Sequence, residues 1–133
     1  MDCLFRKVSI AVVVTTMLIG LSHARYELPP RPGPCTMVVG GDAGWRVGYD
    51  YKSWGNEVPV HVGDTLEFRY KIGDHTVTVV KDRVSFDNCD TSDPAEEHDD
   101  GDTKITLQEP GWIYFVDKYH CSEGVKMANN ILS

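Results

Sequence analysis

At 133 residues the chain has the length of one domain, and a domain of that size can bury a substantial core. Its formal charge of −7 gives no electrostatic reason to bind nucleic acid or an anionic membrane surface, which leaves cationic or neutral partners.

Residues 1–24 read as a secretory signal peptide. Arg6 and Lys7 form a basic start, Val8 to Leu21 an uncharged apolar run, and Ser22, His23 and Ala24 a small-residue cleavage pattern. The apolar run falls short of the roughly 20 residues a membrane span requires, so no span is expected in the mature chain. Cleavage removes Asp2, Arg6 and Lys7 and moves the formal charge from −7 to −8. Cys3 leaves with the leader, and Cys35, Cys89 and Cys121 enter an oxidising compartment where disulfides persist. Residues 25–35 form a proline-rich spacer, with four prolines between Arg25 and Pro34.

A domain over residues 36–133 follows. Thr36 to Gly40 is strand-like, and Gly40, Gly41 and Gly44 supply turns before Trp45. Asp50 to Trp54 resembles a short helical or irregular segment between early strands. Val58, Val60 and Val62 alternate with other residues, and beyond the Gly63, Asp64 turn so do Leu66, Phe68 and Tyr70, as in half-buried strands. His61 lies on the opposite parity and reads as a solvated surface histidine. His75 opens HTVTVV, sharing parity with Val77 and Val79 at the inner end of a core strand.

Val84 to Cys89 leads into Asp90 to Asp102, a stretch with seven carboxylates in thirteen residues. It lacks the alternating ligands, central glycine and final glutamate of a calcium-binding loop, so a solvated, partly mobile loop is expected. Thr103 to Leu107 and Ile113 to Val116 form two more strands, and Met127 to Leu132 closes the domain. Seven or eight short strands with regular turn signals predict an all-β, Greek-key sandwich.

The chemistry concentrates in GWIYFVDKYHCSEGVKM, Gly111 to Met127, where His120 and Cys121 follow an alternating apolar strand. That pair can hold a metal or close a disulfide. A blue copper site needs two imidazoles, one thiolate and a weak axial thioether or amide. Here the strand ends in Asp117, only Lys118 and Tyr119 separate it from His120, and the axial spacing falls on Val125, which has no donor atom.

The segments VVGGDAGWRVG, DYKSW, VGDTLEFRY, HTVTVV, FDNCDTSDP, DGDTKITLQEPGWIYF and HCSEGVKM resemble, in order and spacing, those of the plant phytocyanins. That cupredoxin family includes plantacyanins, stellacyanins, uclacyanins and early nodulin-like proteins. The resemblance covers most of residues 36–133. It implies a cupredoxin-like Greek-key β-sandwich, a core position for Trp45 and a bridge between Cys89 and Cys121, with Cys35 left over. It also places His75 and His120 at the two histidine ligands, Asp117 at the cysteine ligand and Val125 at the axial ligand. The loop to His120 is shorter than the family's four or so residues, and the chain looks most like an early nodulin-like member that has given up blue copper.

The function this implies is a secreted binding module of the cell surface or wall, with no cofactor, recognising a glycan, a peptide or a receptor ectodomain. The alternative is a copper-binding electron-transfer protein with an altered His/His/Asp site, a copper ion in a non-blue site and a redox partner. Asp117 and His120 lack an accompanying nucleophile or nucleotide-binding loop, so an enzyme is not expected. Without a hydrophobic tail to signal a lipid anchor, an extracellular or apoplastic location is expected over attachment to the plasma membrane.

Overall fold

The alternating runs of the sequence become two stacked sheets in the computed structural model, which describes residues 33–133. The leader expected at 1–24, and all of the expected spacer except residues 33–35, lie outside the described residues. The elements in order are β1 (Thr36–Val38), α1 (Tyr51–Glu57), β2 (Val60–His61), β3 (Thr65–Arg69), β4 (Val77–Val80), α2 (Arg83–Asp87), β5 (Glu96–His98), β6 (Asp102–Thr106), β7 (Gly111–Val116) and β8 (Lys126–Leu132). One sheet has the order β1-β3-β6 and the other β2-β8-β7-β4-β5. β1 runs parallel to β3 and β2 parallel to β8, while the remaining neighbours are antiparallel. Consecutive strands β3 and β4 lie in opposite sheets, so the chain crosses over the core between them.

Aromatic rings fill the space between the sheets. Phe68 of β3 meets Phe115 of β7 at 5.0 Å between ring centroids, and Trp45 stands edge-on to Phe68 at 5.1 Å. Burying a side chain of this size stabilises the fold by about 1.5 to 3 kcal/mol. Trp45 has the core position expected of it, and its indole N–H donates to the Thr76 carbonyl at 2.9 Å. Gly44, with φ of 69°, permits the approach: a Cβ there would stand 2.7 Å from the Arg69 carbonyl oxygen, which accepts from the Trp45 amide at 2.8 Å.

Several elements differ from expectation. The alternation through Val58 to Val62 gives only the two-residue β2, because Val58 terminates α1 and Pro59 has no N–H to pair. α1 runs past Trp54 to Glu57, started by the Asp50 carboxylate, which accepts from the Ser53 amide at 3.1 Å. Asp82 does the same for Ser85 at 2.8 Å and so begins α2, which the sequence reading did not foresee. The acidic stretch is not all loop, since Glu96–His98 pairs antiparallel with β4 as an edge strand. His61 is half-buried rather than fully solvated, with Nδ1 3.9 Å from the buried Asp64 carboxylate. Glu67, which alternates with Leu66 and Phe68 along β3, is nevertheless only 6 % exposed, between Arg69 at 3.2 Å and Lys104 at 3.6 Å.

β4 is buried on both faces. Val77 and Val79 point into the main core, while Val80 joins Phe86, Val116 and Cys121 in a second cluster beneath α2. Cys89 and Cys121 are joined in a disulfide across 32 residues, with 5.8 Å between their Cα atoms. Among the described residues no cysteine is a free thiol, and Cys35, expected to be left over, is no exception.

Candidate metal centre

β4 and β7 are antiparallel neighbours, with Thr78 opposite Val116, so the residues just before β4 and just after β7 meet at one end of the sheet. His75 and Asp117 occupy those positions. His75 Nδ1 lies 2.5 Å from Asp117 Oδ2, and Asp117 Oδ1 accepts from the Thr76 amide at 3.2 Å and the Tyr119 amide at 2.9 Å. The Asp117 carboxylate is fully buried, and its own amide donates to the Val125 carbonyl at 2.9 Å.

His120 reaches the same end from the far side of the shortened loop. Its ring centroid is 4.8 Å from that of His75, and one donor atom from each of His75, Asp117 and His120 lies within 4.8 Å of the other two. A single 3-10 turn, Cys121–Glu123, follows, and the disulfide at Cys121 anchors it. His120 Nδ1 lies 2.9 Å from the Glu123 carboxylate. That hydrogen bond holds the imidazole above its ordinary pKa; the nearby negative charges of Asp117 and Glu123 reinforce it against a smaller opposing effect of burial.

The structure thus gathers His75, Asp117 and His120, while Val125, 1 % exposed, brings a hydrocarbon side chain and a carbonyl already used by Asp117. Sequence reasoning missed the groups that hold the carboxylate. Thr76 supplies an amide to Asp117 and a hydroxyl that accepts from the Lys118 amide at 2.9 Å. Trp45 in turn fixes Thr76 through its carbonyl, a contact between residues 31 positions apart that leaves no local signal.

Two geometric facts bear on copper. Ligands sharing a tetrahedral ion at bonds near 2.0 to 2.1 Å stand about 3.3 Å apart. At 2.5 Å, His75 and Asp117 are instead hydrogen-bonded directly to each other. The donors are also wrong for type 1 copper, which requires a thiolate. Asp117 offers two hard oxygens that between them already have three partners, and the Val125 side chain offers nothing axially. The residues present do not fit a blue copper ion.

Comparison with known proteins supplies the lineage. The plastocyanin-like domain profile matches residues 45–125. Early nodulin-like protein 22 of Arabidopsis thaliana is 33 % identical over 129 residues, covering 95 % of this chain and 89 % of that protein. Uclacyanin-2 of the same plant is 43 % identical over 93 residues, or 67 % of this chain and 45 % of the relative, so the match spans less than half of that protein. Cucumber basic protein, described as a blue copper protein, superposes with a TM-score of 0.66 at 34 % identity, covering 73 % of this chain and 99 % of that one. Copper-bound cucumber stellacyanin gives 0.70 at 28 % identity, with 77 % and 98 % covered. A cupredoxin-type sandwich, a Cys89–Cys121 bridge and these sequence matches make the chain a member of the plant phytocyanin family.

Proposed function

We propose that this phytocyanin is a secreted, non-enzymatic binding module of the plant cell surface or wall that works without blue copper. One observation carries the reading: the residue in the thiolate position is a buried aspartate whose carboxylate is satisfied by the His75 ring and two backbone amides. A carboxylate cannot form the copper-thiolate bond on which fast electron exchange at a blue site depends. The fold then serves as a scaffold for recognition. Its extracellular location rests on the leader-like residues 1–24 and on the phytocyanin relatives.

Titration of the purified protein with Cu(II) and Zn(II), followed by calorimetry and visible absorption, tests this. The expected result is no stoichiometric blue copper. An intense thiolate charge-transfer band with one copper per chain would overturn it. A second reading, an altered His/His/Asp site for non-blue Cu(II) or Zn(II) with a redox partner, is favoured by the convergence of His75, Asp117 and His120. Stoichiometric binding without an intense band would support that reading instead.

A further inference from the structure

Beyond the His75 loop end, the outer face of the five-stranded sheet carries a cleft of about 450 Å³ between α1 and α2. Cross-strand pairing creates it. Tyr114 of β7 stands opposite Ala128 of β8, and Trp112 opposite Asn130. The small Ala128 leaves a trough, walled by α1 along β8 and by α2 along β7.

Trp112 lines this cleft and is 57 % exposed, whereas Trp45 and Trp54 are 1 % and 8 % exposed. Its ring lies within 12° of parallel to Tyr114, with 6.4 Å between centroids, and Tyr114 packs on Phe86 at 5.4 Å. Tyr114 and Phe86 thus lie behind the indole, which stays exposed to water. A lone exposed aromatic is ordinary, but one backed by a second ring at the mouth of a formed cleft offers a stacking platform.

Charge narrows the ligand. Lys52, Arg83 and Lys126 line the cleft against Asp50 and Asp87, an excess of cations in a chain of formal charge −7. Asp87 is paired with Arg83 Nε at 2.9 Å and Asp50 accepts from the Ser53 amide and hydroxyl, which leaves the lining one net positive charge. Arg83 keeps its terminal amino groups, whose fork geometry matches a carboxylate. A protein partner would need roughly 800 Å² of surface, more than a cleft of this size presents. A pyranose fits that arrangement, since its C–H face can lie on indole while its hydroxyls meet polar side chains.

We propose that the cleft binds an acidic oligosaccharide, with one sugar ring stacked on Trp112 and a uronate carboxylate held by Arg83 and Lys52. This rests on the reading of the chain as a binding module and names the ligand class and the place.

The test titrates the purified protein with trigalacturonate, with cellotriose as the neutral control. Quenching of tryptophan fluorescence by acrylamide reports on Trp112, because the other two indoles are buried. Trigalacturonate should protect Trp112 from the quencher, and the affinity should fall as salt rises. Followed by calorimetry, which needs no indole, Trp112→Ala should weaken binding by about tenfold or more, and the Lys52→Gln, Arg83→Gln double variant by a similar factor, with thermal midpoints near wild type.

The proposal fails if trigalacturonate gives no protection, if cellotriose binds as well, or if only peptides bind and Trp112→Ala is indifferent to them. The copper titration fails separately. Blue copper together with trigalacturonate binding would remove the copper-free reading and leave the cleft, and a colourless chain that ignores trigalacturonate would do the reverse.

Discussion

Truncating Asp117 to alanine removes the acceptor for three groups at once: His75 Nδ1, the Thr76 amide and the Tyr119 amide. The site is fully buried at Asp117, so bulk water cannot take the carboxylate's place. Each orphaned buried donor costs about 1 to 3 kcal/mol, and stripping one partner from a buried pair about 3 to 5 kcal/mol. These describe one event and do not add, so the expected loss is about 3 to 5 kcal/mol. For a domain of roughly 100 residues each 1 kcal/mol lowers the melting midpoint by about 4 to 8 °C, so the midpoint should fall by at least about 12 °C. Asp117→Asn keeps the shape, and its amide oxygen still accepts from Thr76 and Tyr119. Toward His75 the charged acceptor is replaced by an amide NH2, which can donate to Nδ1 of the other imidazole tautomer, and the cost should be about half as large. Urea and thermal unfolding followed by circular dichroism measure both variants. An alanine variant within about 1 kcal/mol of wild type, or an asparagine variant damaged equally, would refute the view that this carboxylate organises the loop end.

Asp117→Cys alone should give no blue colour with copper, because only Lys118 and Tyr119 span the loop and Val125 has no axial donor; adding two residues before Tyr119 together with Val125→Met should give it, and a blue single variant would show that the loop has been misread. Cys89→Ser or Cys121→Ser should cost about 3 to 4 kcal/mol in urea unfolding from the loop entropy of the closed segment, and a loss under about 1 kcal/mol would contradict that estimate. Glu123→Gln should lower the His120 titration midpoint seen by NMR, since the Glu123 hydrogen bond is the main cause of its upward shift, and an unmoved midpoint would remove that cause. Because folding raises this pKa, the pair's stabilisation is complete below the ordinary imidazole value of about 6.5 and fades as pH rises through the higher folded value.

The predictions from sequence worked where periodicity was undisturbed. Leu66 and Phe68 on β3, Ile105 on β6 and Phe115 on β7 all face the interior as their parity required. They failed where a cap or a neighbour decides. α2 depends on the Asp82 carboxylate meeting the Ser85 amide, a signal present in the sequence but hidden beside the acidic run that follows. Glu67 is buried because two cations from different positions converge on it, and β5 exists because β4 offers it an edge. Neither follows from the local pattern.

At the site, the sequence by itself determined which atoms are available: an oxygen acid at 117, imidazoles at 75 and 120, and hydrocarbon at 125. Donor chemistry belongs to residue type, so the loss of thiolate could be read before any fold was known. Only the tertiary structure decided that the carboxylate is turned inward onto His75 and two amides, and that Trp112 stands exposed over a cleft while Trp45 and Trp54 are buried. Those outcomes depend on strand register and on which residues, distant in the chain, are brought within hydrogen-bond or stacking range, and spacing along the sequence does not encode that.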